Sequence, residues 1–518
     1  MTVKLKDLYF GRVDGDTESN NENFLDLFYK GNNKYNEIAN DPMKFLVHGE
    51  KGTGKTILGR YIEKSNLKEN KICKIYNKDD IILGKLIEKE NQSLQGEEAI
   101  YLFKWIIYYM IYNLIKDKKI KYKFKFSKKC IEEYKRVKKY KKSIGYLKRL
   151  YEKRYPSGNL ESISLITDEE EEVQSNLEGK IKKSKLSIKG TKKIAKNNTY
   201  KRTEFYKLIE NVQEKIVNCL RITPVVVILD DLDELDIDFD EDKKSAIALN
   251  KLIDAFKNIN LLFNKEGLIE SKCILLIRTD IIEELNKRST NLNKIIQDNA
   301  VELYWIEKEN KYPEKHMLME MILNKIKLTC EEYRSYSNVD LYNKLFPEKI
   351  AGYSAINYMI NNSFGRPRDI ISFLEIIKRR YGDEVCFKAT MFKECNQSYS
   401  ETFLRELFNE MKIHIELNKL ETYLKLLRDF GKNKFFLSDL KKYYKHRRSN
   451  YKENIDFNEY CDLLYKFGVI GNSRVINKGT SKEKTVYSWG YRKDGNPHAN
   501  HELKFSVHYG LRNTLNTK

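Results

Sequence analysis

Short, mostly apolar runs punctuate the first three hundred residues. Phe45-Leu46-Val47-His48, Lys71-Ile72-Cys73-Lys74-Ile75-Tyr76, Val225-Val226-Val227-Ile228-Leu229, Cys273-Ile274-Leu275-Leu276-Ile277 and Ala300-Val301-Glu302-Leu303-Tyr304-Trp305 each read as a strand. Aliphatic runs without polar alternation mark strands covered on both faces, as in a parallel sheet flanked by helices. The intervening stretches carry helical spacing. Residues 97–115 (EEAIYLFKWIIYYMIYNLI) are long, apolar and aromatic and predict a buried helix, while Lys104 inside them argues against membrane insertion. Residues 203–220 predict an amphipathic helix. Strands alternating with helices predict an α/β fold around a parallel sheet.

The texture changes further on. Residues 306–380 read as all-helical, with Phe364-Gly365-Arg366-Pro367-Arg368-Asp369-Ile370 at a helix start. Helices are expected at Glu401–His414, Leu420–Phe430, Leu437–Tyr444 and Phe457–Phe467. Gly468-Val469-Ile470-Gly471 then precedes strands at Thr485–Tyr491 and Leu503–Val507. Three helices followed by a β-ribbon is the pattern of a winged-helix domain. At the other end, Phe10-Gly11-Arg12-Val13-Asp14-Gly15 leads into an expected helix from Asn23 to Tyr29.

The densest chemical signal lies just after the first strand. Gly49-Glu50-Lys51-Gly52-Thr53-Gly54-Lys55-Thr56 reads G-x-x-x-x-G-K-T, and Ile57 to Ile62 continues it at helical spacing. Strand, glycine-rich loop and helix is the context a phosphate-binding loop requires. Its glycines let backbone N–H groups turn inward around phosphate oxygens, with a helix N-terminus behind them. Lys55 is placed to reach the β and γ phosphates of ATP, and the Thr56 hydroxyl to ligate Mg²⁺. The strand at 225–229 ends in Asp230 and Asp231. Mg²⁺ takes oxygen ligands, a carboxylate or two plus phosphates and water, so Asp230 is the second expected metal ligand. Asp231 is the candidate that orients or deprotonates the attacking water. The acidic series from Asp233 to Asp242 reads as a solvated loop. Arg278 follows a core strand, with Thr279 as a polar neighbour, and Arg366 and Arg368 flank Pro367. These three arginines are the candidate cations for the transferring phosphoryl group.

Charge sharpens the picture. The net charge is +21, and residues 116–202 hold 28 Lys or Arg against 11 Asp or Glu, which concentrates +17 there. Such a segment is the electrostatic footprint of a nucleic-acid binder, or else a solvated lysine-rich insertion. Within it, Cys130–Arg154 has helical spacing and Ser184–Ile194 alternates like a basic hairpin, separated by acidic Asp168–Glu172. Eight cysteines are scattered without a C-x-x-C pair, which disfavours a zinc site and a disulfide framework. Met1-Thr2-Val3-Lys4 opens no secretory signal. A cytoplasmic protein with no membrane span is the expectation.

Taken together, GEKGTGKT at 49–56, VVVILDDLD at 225–233, ILLIRTD at 274–280 and GRPRD at 365–369 give the chain a family resemblance. It resembles the ASCE division of P-loop NTPases, near the AAA+ and STAND ATPases. With Phe10, Gly11, Arg12, Asp14 and Glu18 it looks like bacterial P-loop ATPases that carry an F-G-R-x-D-x-x-x-E lead-in. The resemblance implies that the lead-in, including Arg12, covers the adenine, that Asp230 is the Walker B residue, and that Gly365–Asp369 is the sensor-2 region. It also implies homo-oligomers in which one subunit's arginine completes a neighbour's site, with Arg288 a weak candidate, and loci of phage defence or mobile elements. Two departures stand out. Asp231 occupies a position where AAA+ proteins usually carry Glu, which points to slow turnover. Thr56 and Asp230 lie 174 residues apart, so the basic segment is an addition to the core.

The expected organisation is therefore a lead-in at 1–44, an ATPase core at 45–115 and 203–305, the basic insertion at 116–202, a helical lid at 306–395 and a winged-helix-like α+β domain at 396–518. The expected activity is ATP binding and hydrolysis in a switch that senses nucleic acid through 116–202 and the C-terminal domain, in antiviral defence beside a partner effector. The alternatives are an AAA+ DNA loader or replication initiator, and a protein scaffold that binds nucleotide without turnover.

Overall fold

Strand β1 (Leu46–Gly49) lies inside a five-stranded parallel sheet with β2 (Ile72–Tyr76), β3 (Val225–Leu229), β4 (Lys272–Arg278) and β5 (Ala300–Leu303), in the order β2-β3-β4-β1-β5. The computed structural model describes residues 2–77, 97–118, 120, 128–154, 206–230, 243–287, 289, 291–307, 311–412, 414–481, 483–493 and 495–518. Asp231, the acidic series 233–242, the hairpin expected at 184–194, the acidic stretch 168–172 and Arg288 lie outside these residues.

The chain divides into two compact units. One comprises Asn33–Glu50 and Lys55–Leu303; the other comprises Met1–Asn32, Lys51–Gly54 and Tyr304–Lys518.

The first unit is α/β. Every residue of β3 and β4 is buried, which accounts for the uninterrupted aliphatic runs. The Lys55–Lys68 helix packs on β2, and Gly59 permits the approach. A Cβ there would lie 2.9 Å from both Ile75 Cδ1 and Leu276 Cδ1. The Glu97–Ile115 helix packs against the Lys243–Lys265 helix. Trp105, Tyr108 and Tyr112 of the former are buried, and Trp105 packs its ring 4.8 Å from Tyr151. No described helix is long and apolar enough to cross a membrane. From the basic segment the structure describes the Lys128–Lys148 helix, which continues as a π-turn over Arg149–Arg154. At the start of β4 Lys272 Nζ donates to the carbonyls of Ile38 and Asp41. Burial lowers its pKa to about 8.

The second unit is discontinuous in sequence. Leu5, Leu8 and Phe10 sit in the same core as Ile377 and Phe387. Leu5 N donates to Glu384 O at 2.7 Å, and Lys378 Nζ donates to Leu8 O at 2.7 Å. Helices Met317–Thr329, Asn338–Leu345, Ala355–Asn361, Pro367–Tyr381 and Ala389–Met411 follow. The last runs unbroken across the boundary expected at 395/396, because Phe392, Tyr399, Phe403 and Leu407 along it all feed one continuous core. The expected helix from Asn23 to Tyr29 is shorter, Phe24–Leu27.

Helices Leu417–Phe430, Leu437–His446 and Phe457–Lys466 then precede an antiparallel sheet ordered β6-β9-β7-β8. Its strands are β6 (Lys434–Phe435), β7 (Ile470–Ile476), β8 (Lys484–Ser488) and β9 (Lys504–Val507). Strand β7 begins inside the Gly468–Gly471 stretch, ahead of the strands expected from the sequence. Gly471 belongs to it because a Cβ at that position would come within 2.4 Å of the Trp489 ring and 2.7 Å of Ser488 O. A glycine inside a strand marks such close approach as often as it marks an end.

Candidate functional site

In the sheet unit, β1 ends at Gly49 and a helix starts at Lys55. Lys55 turns its amine back on the turn before it: Nζ donates to Gly49 O at 3.0 Å and Glu50 O at 3.2 Å. Thr56 is half-buried in the first turn of the helix. Strand β3 ends at Leu229, and Asp230 follows, 2% exposed, with its backbone N donating to Tyr76 O at 2.9 Å. Strand β4 lies between β1 and β3 and brings Arg278 level with Gly49.

Arg278 is 3% exposed and committed to a neighbour. Its Nε donates to Asp280 Oδ1 at 2.9 Å and its Nη2 to Asp280 Oδ2 at 2.5 Å, a two-pronged pair within one helix start. Thr279 Oγ1 lies 3.1 Å from His48 Nδ1, which ties the ends of β1 and β4. The His48–Thr279 link was not legible in the sequence, because the two residues are 231 positions apart.

The loop tip, Lys51–Gly54, belongs with the second unit. Gly52 has φ +82° and Gly54 φ +96°, a region that glycine adopts without the steric cost other residues meet. At Gly52 the need is also spatial: a Cβ would sit 3.0 Å from Arg368 Cβ. The Arg368 backbone N lies 3.4 Å from Gly52 O and donates to it. Thr53 is buried, and its carbonyl accepts a 2.9 Å hydrogen bond from the indole Nε1 of Trp305. Trp305 in turn packs 6.1 Å from the Tyr29 ring. At Gly54 the side a Cβ would occupy is open.

Arg366 and Arg368, two residues apart, have different surroundings. Arg366 is 4% exposed and bonded to Asp369 through Nε and Nη2, both at 3.1 Å, and to Glu410 through Nη1 at 3.0 Å. Burial opposes its charge, but Asp369 and Glu410 outweigh that and hold its pKa raised. Arg368 is half-buried, and its Nε has no hydrogen-bond partner among the described residues.

The lead-in folds around a buried carboxylate. Glu18, 1% exposed, accepts from Lys325 Nζ, from the Tyr9 hydroxyl and, at 2.8 Å, from Arg12 N. Gly11, at φ +109°, brings the backbone against Ile371 and Lys325. Arg12 itself is exposed. Lys325 lies 307 residues from Glu18 and carried no signal in the sequence.

Within the sheet unit the structure thus gathers Gly49, Lys55, Thr56, Asp230 and Arg278 on strands and helix starts of one sheet. Within the other it gathers Gly52, Thr53 and Arg368. No cluster of three or more His, Cys, Asp or Glu with metal-binding geometry occurs among the described residues.

Residues 316–408 are similar to the FunZ-associated C-terminal helical domain, and in the structure they cover the helical run from Met317 into the Ala389–Met411 helix. No curated protein matches the chain.

Proposed function

We propose that this chain binds ATP with Mg²⁺ in the Gly49–Thr56 loop, hydrolyses it slowly, and uses the nucleotide state to govern its hold on nucleic acid. The observation that carries the reading is the loop itself. Two glycines at positive φ lie between a buried parallel strand and a helix, and Lys55 is folded onto the carbonyls of Gly49 and Glu50. An anion entering the loop meets N–H groups at the helix N-terminus and offers Lys55 a charged partner in place of two neutral carbonyls.

Oxygen-only donors suit Mg²⁺, which keeps several waters and takes one or two protein oxygens beside the phosphates. Thr56 and the buried Asp230 supply that set. Bound metal would supply charge neutralisation across the phosphates. The chain's own residues do the rest: the loop amides orient the phosphates and Asp231 orients the attacking water. Of the arginines, Arg368 beside the loop tip is the cation we assign to phosphate. Arg366 and Arg278 hold their own helix starts through Asp369 and Asp280.

The helix and strand order of 417–507 supports a winged-helix reading for the C-terminal part, and the +17 segment at 116–202 supports nucleic-acid binding. A role in bacterial antiviral defence beside a separate effector, as a homo-oligomer, follows from the family resemblance, and a cytoplasmic location is supported by the cysteine pattern. The test is nucleotide binding and turnover by the full chain with Mg²⁺. Wild-type protein should retain ATP, Lys55→Ala should lose it, and Asp231→Asn should retain it while turnover falls. A wild-type chain that holds no adenine or guanine nucleotide overturns the reading.

A further inference from the structure

The second unit carries a cationic helix face that none of the residues above uses. On the Leu437–His446 helix, Leu437, Leu440 and Tyr444 point into the core, at i, i+3 and i+7. Lys442 and Lys445 occupy the side away from that core and Lys441 flanks it, its Nζ 5.7 Å from the Phe457 ring centroid; all three are exposed, as is Arg447 just past the helix end. Residues 432–448 hold seven Lys or Arg against a single acid, Asp439. Among the described residues none of those three lysines makes an ion pair. Tyr443 lies in the patch, its ring 4.7 Å from the Arg447 guanidinium and its hydroxyl 2.9 Å from Arg447 Nη1.

The next helix, Phe457–Lys466, has the opposite character. It occupies the place where a helix-turn-helix puts its groove-reading element. Yet it presents Glu459 and Asp462, already paired with Lys419 at 2.6 Å and His501 at 2.9 Å. Two carboxylates on that face would repel a phosphate backbone.

We propose that the chain holds duplex DNA on the Leu437–His446 face, through its backbone phosphates, and does not read it with the Phe457–Lys466 helix. The proposal rests on the nucleic-acid part of the function proposed above and names the surface that performs it. From Lys441 to Arg447 the cations span roughly 9 Å at ~1.5 Å per residue. Measured along the duplex axis, that length covers about three phosphates of one strand at ~3.4 Å of axis each. Single-strand binders need bare aromatic rings on which bases stack. Here Tyr443 is taken by Arg447, and the exposed ring of Phe436 is covered by Lys504, whose Nζ lies 5.2 Å from its centroid. A rigid, convex, cationic face without a stacking platform fits a duplex backbone.

The experiment is fluorescence anisotropy of the full chain with a labelled DNA duplex across a salt series. Wild-type protein should bind with a steep salt slope. The K441Q/K442Q/K445Q protein should bind at least about tenfold more weakly at low salt, with the log–log slope reduced by roughly 2–3. Its thermal melt should match wild type, since all three side chains are exposed. E459Q/D462N should leave affinity unchanged. A triple variant with wild-type affinity and slope overturns the proposal, as does loss of binding in E459Q/D462N, or tighter binding of single strands or an RNA duplex. Wild-type protein that shows no salt-sensitive duplex binding overturns both this proposal and the nucleic-acid part of the function. Lys55-dependent nucleotide binding, measured separately, decides the ATPase reading independently of either result.

Discussion

Two buried polar contacts made by single residues hold the loop tip and the lead-in. The Trp305 indole holds the Thr53 carbonyl, and Lys325 neutralises Glu18 inside the lead-in. Trp305→Phe keeps most of the ring but leaves a buried carbonyl without its donor, which costs about 1–3 kcal/mol. Because that carbonyl belongs to the loop tip, the loss should lower the melting temperature modestly and weaken nucleotide affinity by roughly tenfold in a binding titration. Lys325→Met should be more damaging to stability. A buried carboxylate stripped of its cation costs about 3–5 kcal/mol, whereas E18Q/K325M removes both charges and should recover much of it; chemical denaturation of the three proteins measures the difference. The sequence made the loop legible because G-x-x-x-x-G-K-T is local chemistry between a strand and a helix. It could not show Trp305 or Lys325 as partners, since those contacts span 252 and 307 residues and depend on tertiary approach. The arginines were legible as residue types, and so were the ion pairs of Arg278 and Arg366, since Asp280 and Asp369 stand two and three residues onward.

At the scale of elements, helix starts carry most of the polar design. The Met317–Thr329 helix begins with His316, whose Nδ1 accepts from Leu318 N at 3.2 Å. An acceptor nitrogen must be unprotonated, and burial lowers the His316 pKa to about 4. His508, buried beside Arg492 and Arg512, is shifted in the same direction. The folded chain therefore binds fewer protons than the unfolded one below the ordinary histidine value near 6.5. Stability from His316 is fully present above pH 6.5 and is lost as pH falls towards 4, by about 2 kcal/mol at pH 5. His316→Asn keeps a capping acceptor without the titration and should flatten the pH 5–7 dependence of the melting temperature. An unchanged dependence would assign it elsewhere. Strands β3 and β4 were legible as dense aliphatic runs, and β1, β2 and β5 as shorter apolar runs interrupted by His48, Lys74 and Glu302. Strand β7 was not, because Gly471 stands where packing against Trp489 excludes any side chain.

For the whole molecule, the N-terminus is structural in the second unit. Leu5, Leu8 and Phe10 are all within 1% of full burial among residues from the C-terminal half. At about 1.5–3 kcal/mol for each buried side chain, protein lacking residues 1–10 should lose roughly 5 kcal/mol or more. Its melting transition should fall steeply or vanish. Saturating ATP with Mg²⁺ should raise the melting temperature of the intact chain, by about 2.7 kcal/mol of stabilisation at a hundredfold excess over Kd, and should leave Lys55→Ala unmoved. The two-unit division was not legible in the sequence, since it unites residues 1–32 with 304–518 through contacts that no local pattern announces.

The sheet's pairing order also has a consequence during synthesis. Strand β1 pairs with 275–278 on one side and 300–303 on the other, so its hydrogen bonds wait on residues made up to 254 positions later. At about 5–20 residues per second a ribosome takes roughly 13–50 s to deliver them. Throughout that interval the nascent chain trails a sticky, unzipped ribbon next to the Gly49–Thr56 loop, which makes early holding by a chaperone a natural requirement for high yield.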